Sequence, residues 1–542
     1  PPSAVGAVAS APAAASTTAR VDRRLAADLA AGRSSPALAI LRAQADLSGA
    51  EAIAAKTAKV RFVRQRLVAV ADATQRPVVA ALARRGVPFT AYHIVNAVAF
   101  EADAATVREI GSLPEVASIV GLPAFGAAEA PRPAGVARQA AAEHNIRAIG
   151  ADKVWRRGYE GAGVTVAILD TGVNARHPAL ASSYRGRTDG DDHHWLDAVA
   201  GQAAPIDVND HGTHVAGIAV GRQGSREIGV APEASWIACR VFAQDRGTTK
   251  AILDCLQWSL APTRRDGSDP RPELAPDIIN ASWGTFGRAF CDNPFPAEAA
   301  IRNLVAAGIL FVAAAGNDGP RCGSVCPPGS LAEAFTVGNY DDERRTIADS
   351  SSRGPFDAAG TPRIKPDVAA PGEAIESSLG SSGYGVKQGT SMAAPHVSGA
   401  AALLLSAAPG LRGRPAAVRA LLEDTATKLN ADACGPSGAR DFNNAAGHGV
   451  INVDAAVVAA LALPTPTATA SPTPTPVASP TPIATPTTAA TPTPPPTASP
   501  VATAARTATS AATAEATPTR RATAAASAAP GGGRIYLPSA RR

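Results

Sequence analysis

Four short apolar runs set the strongest limit on what this chain can fold into. Val164–Leu169, Trp236–Phe242, Pro276–Ala281 and Leu310–Ala315 are mostly apolar, broken only by Thr165, Arg240, Asp277 and Asn280, as strands buried between two layers of helices are. Helical patterns separate and follow them: a small-residue segment opening at His211, then stretches from about Lys250 to Leu260, about Ala297 to Ala307, Ser391 to Leu405, and Ala416 to Leu422. Strands alternating with helices predict an α/β domain of three layers, with a parallel central sheet and its site at the strands' carboxyl ends. Nothing repeats at a fixed period, which excludes a solenoid.

Reactive residues stand where such a sheet would put them. Asp170 follows the first run in Asp170-Thr171-Gly172, a carboxylate at a strand's carboxyl end. His211 opens the segment His211-Gly212-Thr213-His214-Val215-Ala216-Gly217. Ser391 lies in Gly389-Thr390-Ser391-Met392-Ala393-Ala394-Pro395-His396 and begins a helix, with Pro395 read as part of its first turn. There the unpaired N–H groups and the positive helix end suit a developing oxyanion. A hydroxyl needs a base, and the base an orienting group, so an acid, a histidine and a serine together point to acyl transfer. A fourth motif, Ala313-Ala314-Ala315-Gly316-Asn317-Asp318-Gly319, ends the last apolar run.

In the order Asp, His, Ser these motifs resemble the subtilases, the subtilisin-like serine proteases, over roughly residues 145–458. The resemblance implies that Asp170 orients, His211 is the general base, Ser391 the nucleophile, and Asn317 donates to the oxyanion beside the Ser391 N–H. It also implies that Gly247 and Ser282-Trp283-Gly284 bind an extended protein or peptide substrate as added strands. With Ala314 and Gly316, the Ser282-Trp283-Gly284 segment would form an open apolar wall for a large uncharged side chain before the scissile bond. His214 and His448 read as structural. Ala393 breaks the Gly-x-Ser-x-Gly pattern of α/β-hydrolase esterases.

Ahead of this catalytic domain, placed at 145–460, residues 1–34 read as a disordered segment and 35–123 as a small α+β domain. Its elements are a strand at Ala37–Arg42, a helical stretch over 50–85, a strand over Phe89–Phe100, a helix at Asp103–Ser112 and a strand at Val116–Val120. The order resembles the inhibitory propeptide of subtilases, which implies that the chain's own propeptide is an intramolecular inhibitor. Residues 124–144, rich in Ala and Pro, would be the cleavable linker. Beyond lie a Pro/Thr/Ala-rich spacer over 461–533 and a short segment, 534–542, read as a disordered end or as a cell-surface attachment signal.

Charge and cysteines narrow the setting. The whole surplus of +5 falls beyond residue 463, where six arginines face one glutamate, so the globular part gives no argument for nucleic acid. No run is long enough for a transmembrane segment. The start at Pro1, without methionine, fits a leader already removed. Six cysteines without histidines at metal spacing predict disulfides and a secreted, extracellular protein. Resemblance to extracellular subtilases favours Cys239 with Cys255, and Cys291 is expected against the Cys322–Cys326 loop. No cofactor is needed for the chemistry; many subtilases bind structural calcium, but no motif places a metal site here. The competing reading is a catalytically inactive or latent subtilase-like binding module at the cell surface.

Overall fold

The computed structural model describes residues 19–122, 124–126, 142–244, 246–285, 291, 295–358, 361–430, 434 and 442–463. The readings of residues 1–18, of the linker between 127 and 141 and of the chain beyond Leu463 lie outside these.

The main sheet runs in the spatial order Thr346–Ile347, Phe335–Asp341, Leu310–Ala314, Ile278–Ala281, Thr165–Asp170, Ser235–Arg240 and Trp195–Asp197, with Val368–Pro371 also beside Phe335–Asp341. Neighbours are parallel except Thr346–Ile347. Val166 and Ile168 face a layer containing Val215, Met392, Val397 and Leu404, whereas Ala167 and Leu169 face Ile252, Leu256, Ile301 and Leu304. Burial on both faces is why these strands read as largely apolar runs. Helices His211–Val220, Thr390–Ala407 and Val453–Ala462 cover the first face, and Thr249–Leu260 and Glu298–Ala306 the second. From Thr165–Asp170 the chain goes first to Trp195–Asp197 and Ser235–Arg240 on one side, then crosses to Ile278–Ala281 on the other. That reversal opens a crevice at the carboxyl end of the Asp170 strand. Disulfides join Cys239 to Cys255, Cys291 to Cys326 and Cys322 to Cys434.

The N-terminal sheet has the order Arg20–Val21, Val116–Gly121, Ser35–Leu41, Ala97–Ala102, Phe89–Tyr92. It differs from the sequence reading in four places. Residues 20–34, expected to be disordered, hold a strand and the helix Arg23–Ala30, because Asp22 Oδ1 caps the Arg24 and Leu25 N–H groups at 2.9 Å and Leu25 fills the core. The 50–85 stretch is two helices, Lys56–Thr74 and Arg76–Arg84, because Pro77 cannot continue the first. The Phe89–Phe100 run is a hairpin broken at 93–96. Its turn stays apolar because it is buried against the catalytic domain, where Gln257 Oε1 accepts the His93 and Ile94 N–H groups at 2.8 and 3.2 Å. Finally, residues 124–126 of the expected linker form a strand antiparallel to Arg246–Thr248.

One face of the N-terminal sheet packs on the helices Arg23–Ala30, Arg76–Arg84 and Ala104–Gly111; from the other, Leu38, Ala97 and Ala99 join a core shared by Lys56–Thr74 and the Thr249–Leu260 and Glu298–Ala306 helices. Polar clamps surround that contact. Lys56 Nζ reaches Asp277 Oδ1 at 2.8 Å and the Ala275 carbonyl at 2.7 Å. The Tyr92 hydroxyl donates to Asp254 Oδ1 at 2.6 Å, and Asn303 Nδ2 donates to the Ile94 carbonyl at 2.7 Å. Lys56→Met removes the ammonium from a nearly buried ion pair, a loss of about 3–5 kcal/mol when one partner is left alone. Hydrogen exchange of the Ser35–Leu41 amides in the full chain should then speed up at least about tenfold. Unchanged exchange would show that Lys56 does not hold this unit down.

Candidate active site

Asp170 and His211 pair at the crevice, and Ser391 starts a helix bonded to Ser282, which follows the strand next to Asp170. Asp170 is buried to 1% exposure, and a carboxylate there must be compensated. Its Oδ1 accepts from the Thr171 N–H at 2.7 Å and lies 2.6 Å from His211 Nδ1. A carboxylate oxygen accepts, so Nδ1 carries a hydrogen, and in the neutral imidazole Nε2 presents the lone pair. Nε2 is buried and has no protein partner among the described residues.

The Asp170 strand is locked to the His211 helix by two residues that the sequence reading passed over. The Thr171 hydroxyl donates to Asp207 Oδ1 at 2.8 Å and accepts the Gly212 N–H at 3.0 Å. Asp207 Oδ2 accepts both the Thr213 N–H and the Thr213 hydroxyl at 2.7 Å. Asp207 therefore caps the histidine helix from just before it, a signal present in Asp207-x3-His211 as an acidic residue ahead of a helix start. His214, pushed down to about 3 chiefly by complete burial, lies with Nε2 3.0 Å from the Gly385 carbonyl.

Pro395 is not in the first turn of its helix. The helix begins at Thr390, so Pro395 sits one turn in. It has no N–H for the Ser391 carbonyl, which would be left buried and unpaired. Ser282 fills the gap: its hydroxyl donates to the Ser391 carbonyl at 2.9 Å. In return, the Ser391 hydroxyl donates to the Ser282 carbonyl at 3.0 Å. Asn280 Nδ2 donates to Ser282 Oγ at 2.9 Å, and the Ser398 hydroxyl donates to Asn280 Oδ1 at 2.8 Å. A chain of buried hydrogen bonds thus fixes the start of the Ser391 helix to the strand next to Asp170.

Asn317 Oδ1 accepts from the Thr390 N–H at 3.0 Å and the Thr390 hydroxyl at 2.9 Å, which turns Nδ2 the other way. Gly389, at φ +128, leaves space there; a Cβ would come 3.2 Å from Asn317 Nδ2. Gly316, at φ +103, donates its N–H to Thr390 Oγ1 at 3.2 Å, so it lies at the same helix start. Gly247 is paired with Phe125 in the strand contact already described. The expected apolar wall needs correcting. The Trp283 indole is 1% exposed and donates to the Leu169 carbonyl at 2.8 Å, and the Ala314 methyl is buried in the core. Neither side chain lines an open wall; Ser282 acts through its hydroxyl and carbonyl, and Gly284 is buried beside them. Among the described residues, no group of three or more His, Cys, Asp or Glu could hold a metal ion, and no helix is long and apolar enough to cross a membrane.

Comparison with known proteins agrees with this architecture. Residues 161–449, more than half of the chain, match the model of the subtilase family, peptidase S8. The chain is 37% identical over 396 residues to bacillopeptidase F of Bacillus subtilis (strain 168), which covers 68% of this chain and 26% of the relative. It is 34% identical to subtilisin-like protease SBT6.1 of Arabidopsis thaliana, over 52% of this chain and 25% of the relative. It is 33% identical to subtilisin DY of Bacillus licheniformis, over 58% of this chain and 97% of the relative. The chain thus spans about a quarter of the first two relatives and nearly all of the third. It belongs to the subtilase family.

Because Ser282 substitutes for the hydrogen bond that Pro395 cannot make, the two positions should be coupled. In a Ser391→Ala background, Ser282→Ala should cost about 1–3 kcal/mol in urea unfolding. Adding Pro395→Ala restores the helix N–H and should recover at least half of that loss. Strictly additive effects would show that the Ser282 hydroxyl does not replace the missing bond.

Proposed function

We propose that this chain is the zymogen of a secreted serine endopeptidase. The pairing of Asp170 with His211 at 2.6 Å, with Nε2 left without a partner among the described residues, carries the reading. Asp170 holds the imidazole in the tautomer that accepts a proton at Nε2. The Ser391 hydroxyl turns from the Ser282 carbonyl to Nε2, gives up its proton, and Oγ attacks the peptide carbonyl. The oxyanion is met by the Ser391 N–H at the helix start and by Asn317 Nδ2. His211 passes the proton to the leaving amine. A water activated by the same imidazole then releases the acid and restores Ser391.

The zymogen part of the reading draws on the N-terminal unit. Its strand Ala124–Gly126 occupies the edge of Arg246–Thr248, the segment expected to receive substrate as an added strand. A linker lying along that edge would both block it and lead into the site, so the maturation cut is proposed to fall after Gly126 and before the helix at Ala142. Three disulfides suit an oxidising exterior.

Mass spectrometry of wild type and Ser391→Ala, with casein hydrolysis alongside, tests this reading. The wild type should shed its first 126 to 141 residues and digest casein, and Ser391→Ala should keep its full length. Asn317→Leu should process and hydrolyse on the order of 10²–10³ times more slowly. Full-length wild type with no hydrolysis of casein or ester substrates would leave the latent or binding-module reading instead.

A further inference from the structure

The helix Lys56–Thr74 meets the catalytic domain through Val60, Val63 and Leu67, and carries cations beside that buried stripe. Three of them are matched. Lys56 pairs with Asp277, the Lys59 ammonium donates to the Gly413 carbonyl at 2.7 Å, and Arg61 pairs with Glu273 at 3.5 Å. Arg64 stands on the edge of the stripe, four residues after Val60 and three before Leu67, and is drawn into the contact with it. Its guanidinium makes no hydrogen bond or ion pair among the described residues, and its Nε is buried. Burial pulls it below the ordinary arginine range, and no carboxylate is close enough to offset that. A guanidinium stays charged all the same, and a charge taken from water without a counter-charge is costly.

Arg64 lines a cavity of about 390 Å³ where the N-terminal unit meets the catalytic domain. The N-terminal unit gives it Arg64 and His93, and the catalytic domain gives it Leu196, Ala198, Trp258 and Arg265. The two carboxylates in its wall already have cations of their own: Asp197 Oδ2 accepts from Arg240 at 3.0 Å, and Asp254 Oδ2 from Lys250 at 2.8 Å. The exposed Arg265 side chain has no ion pair among the described residues. Burial holds the His93 imidazole neutral by pushing it down to about 4, and its ring makes no hydrogen bond among the described residues. The wall thus offers two guanidinium groups without a counter-charge and an imidazole N–H free to donate. Water can accept those hydrogen bonds but brings no charge. An oxyanion does both, because the planar guanidinium fork matches two oxygens of a phosphate or sulfate. At about 30 Å³ per water, the space holds such an ion with several waters.

We infer that this cavity binds a small multivalent oxyanion of the phosphate or sulfate class, held by Arg64 with His93 and Arg265, and that the bound anion keeps the N-terminal unit docked. Its ligands come from both sides of the contact, so undocking dismantles the site. An anion that binds only the docked state stabilises that state by mass action. The test titrates inorganic phosphate calorimetrically into the full-length Ser391→Ala chain, with chloride at matched ionic strength as the control. Saturable uptake of about one phosphate per chain is expected, and hydrogen exchange of the Ser35–Leu41 amides should slow about tenfold at ten times the measured Kd. Arg64→Gln should weaken uptake at least about tenfold and abolish the protection. Arg61→Gln, whose partner Glu273 lies outside the cavity wall, should take up phosphate as the parent chain does. Exchange without phosphate identifies a variant that has not folded; in that event Arg64→Lys, which keeps the charge and loses the fork, should show an intermediate loss. No saturable uptake, uptake undiminished in the Arg64 variants, or binding that leaves the Ser35–Leu41 exchange unchanged overturns the proposal. Catalysis plays no part in any of these outcomes.

Discussion

A buried carboxylate at the tip of the central strand is the constraint on which the rest of the site depends. Asp170 has almost no contact with water, so its charge must be met by protein groups held in place from several directions. The Thr171 N–H and His211 Nδ1–H meet it, and each is itself fixed. Thr171 ties the strand to the histidine helix, and Asp207 ties that helix to the loop before it. The parallel sheet makes such an arrangement possible because the chain diverges to both sides of the Asp170 strand and leaves a gap at its end.

The serine side is built on a different economy of hydrogen bonds. A proline one turn into the helix withholds the bond that would satisfy the Ser391 carbonyl, and a serine from the neighbouring strand provides it. The helix start is then pinned by side chains from a second element, beyond what its own backbone supplies. The reciprocal bond from the Ser391 hydroxyl to the Ser282 carbonyl couples the two segments further. A helix end fixed in this way keeps its free N–H groups aimed in one direction, which is what an anion-binding position requires.

Much of this was legible in the sequence where the signal is local. Asp170, His211, Ser391 and Asn317 stand at the ends of strands or starts of helices, inside motifs whose small residues reveal close backbone approach. The buried strands announced themselves through nearly continuous apolarity. What the sequence concealed depends on partners distant along the chain. Pro395 is plain to see, but its consequence needs Ser282. The 93–96 turn reads as strand because burial against another unit keeps it apolar. The Trp283 indole looks available for substrate until the Leu169 carbonyl is found to hold it. Residues 20–34 follow a low-complexity start, and only the Asp22 cap and Leu25 show where order begins.

The strand Ala124–Gly126 belongs to the same polypeptide as the edge it covers. A tethered strand meets its edge at an effective concentration in the millimolar range, however dilute the protein is. While the tether is intact, occupancy of that edge is thus independent of protein concentration. If the backbone were cut, the same contacts would become a bimolecular equilibrium that dilution can empty. A single covalent event would thus change the order of the equilibrium between this strand and its edge, with no change in the contacts themselves.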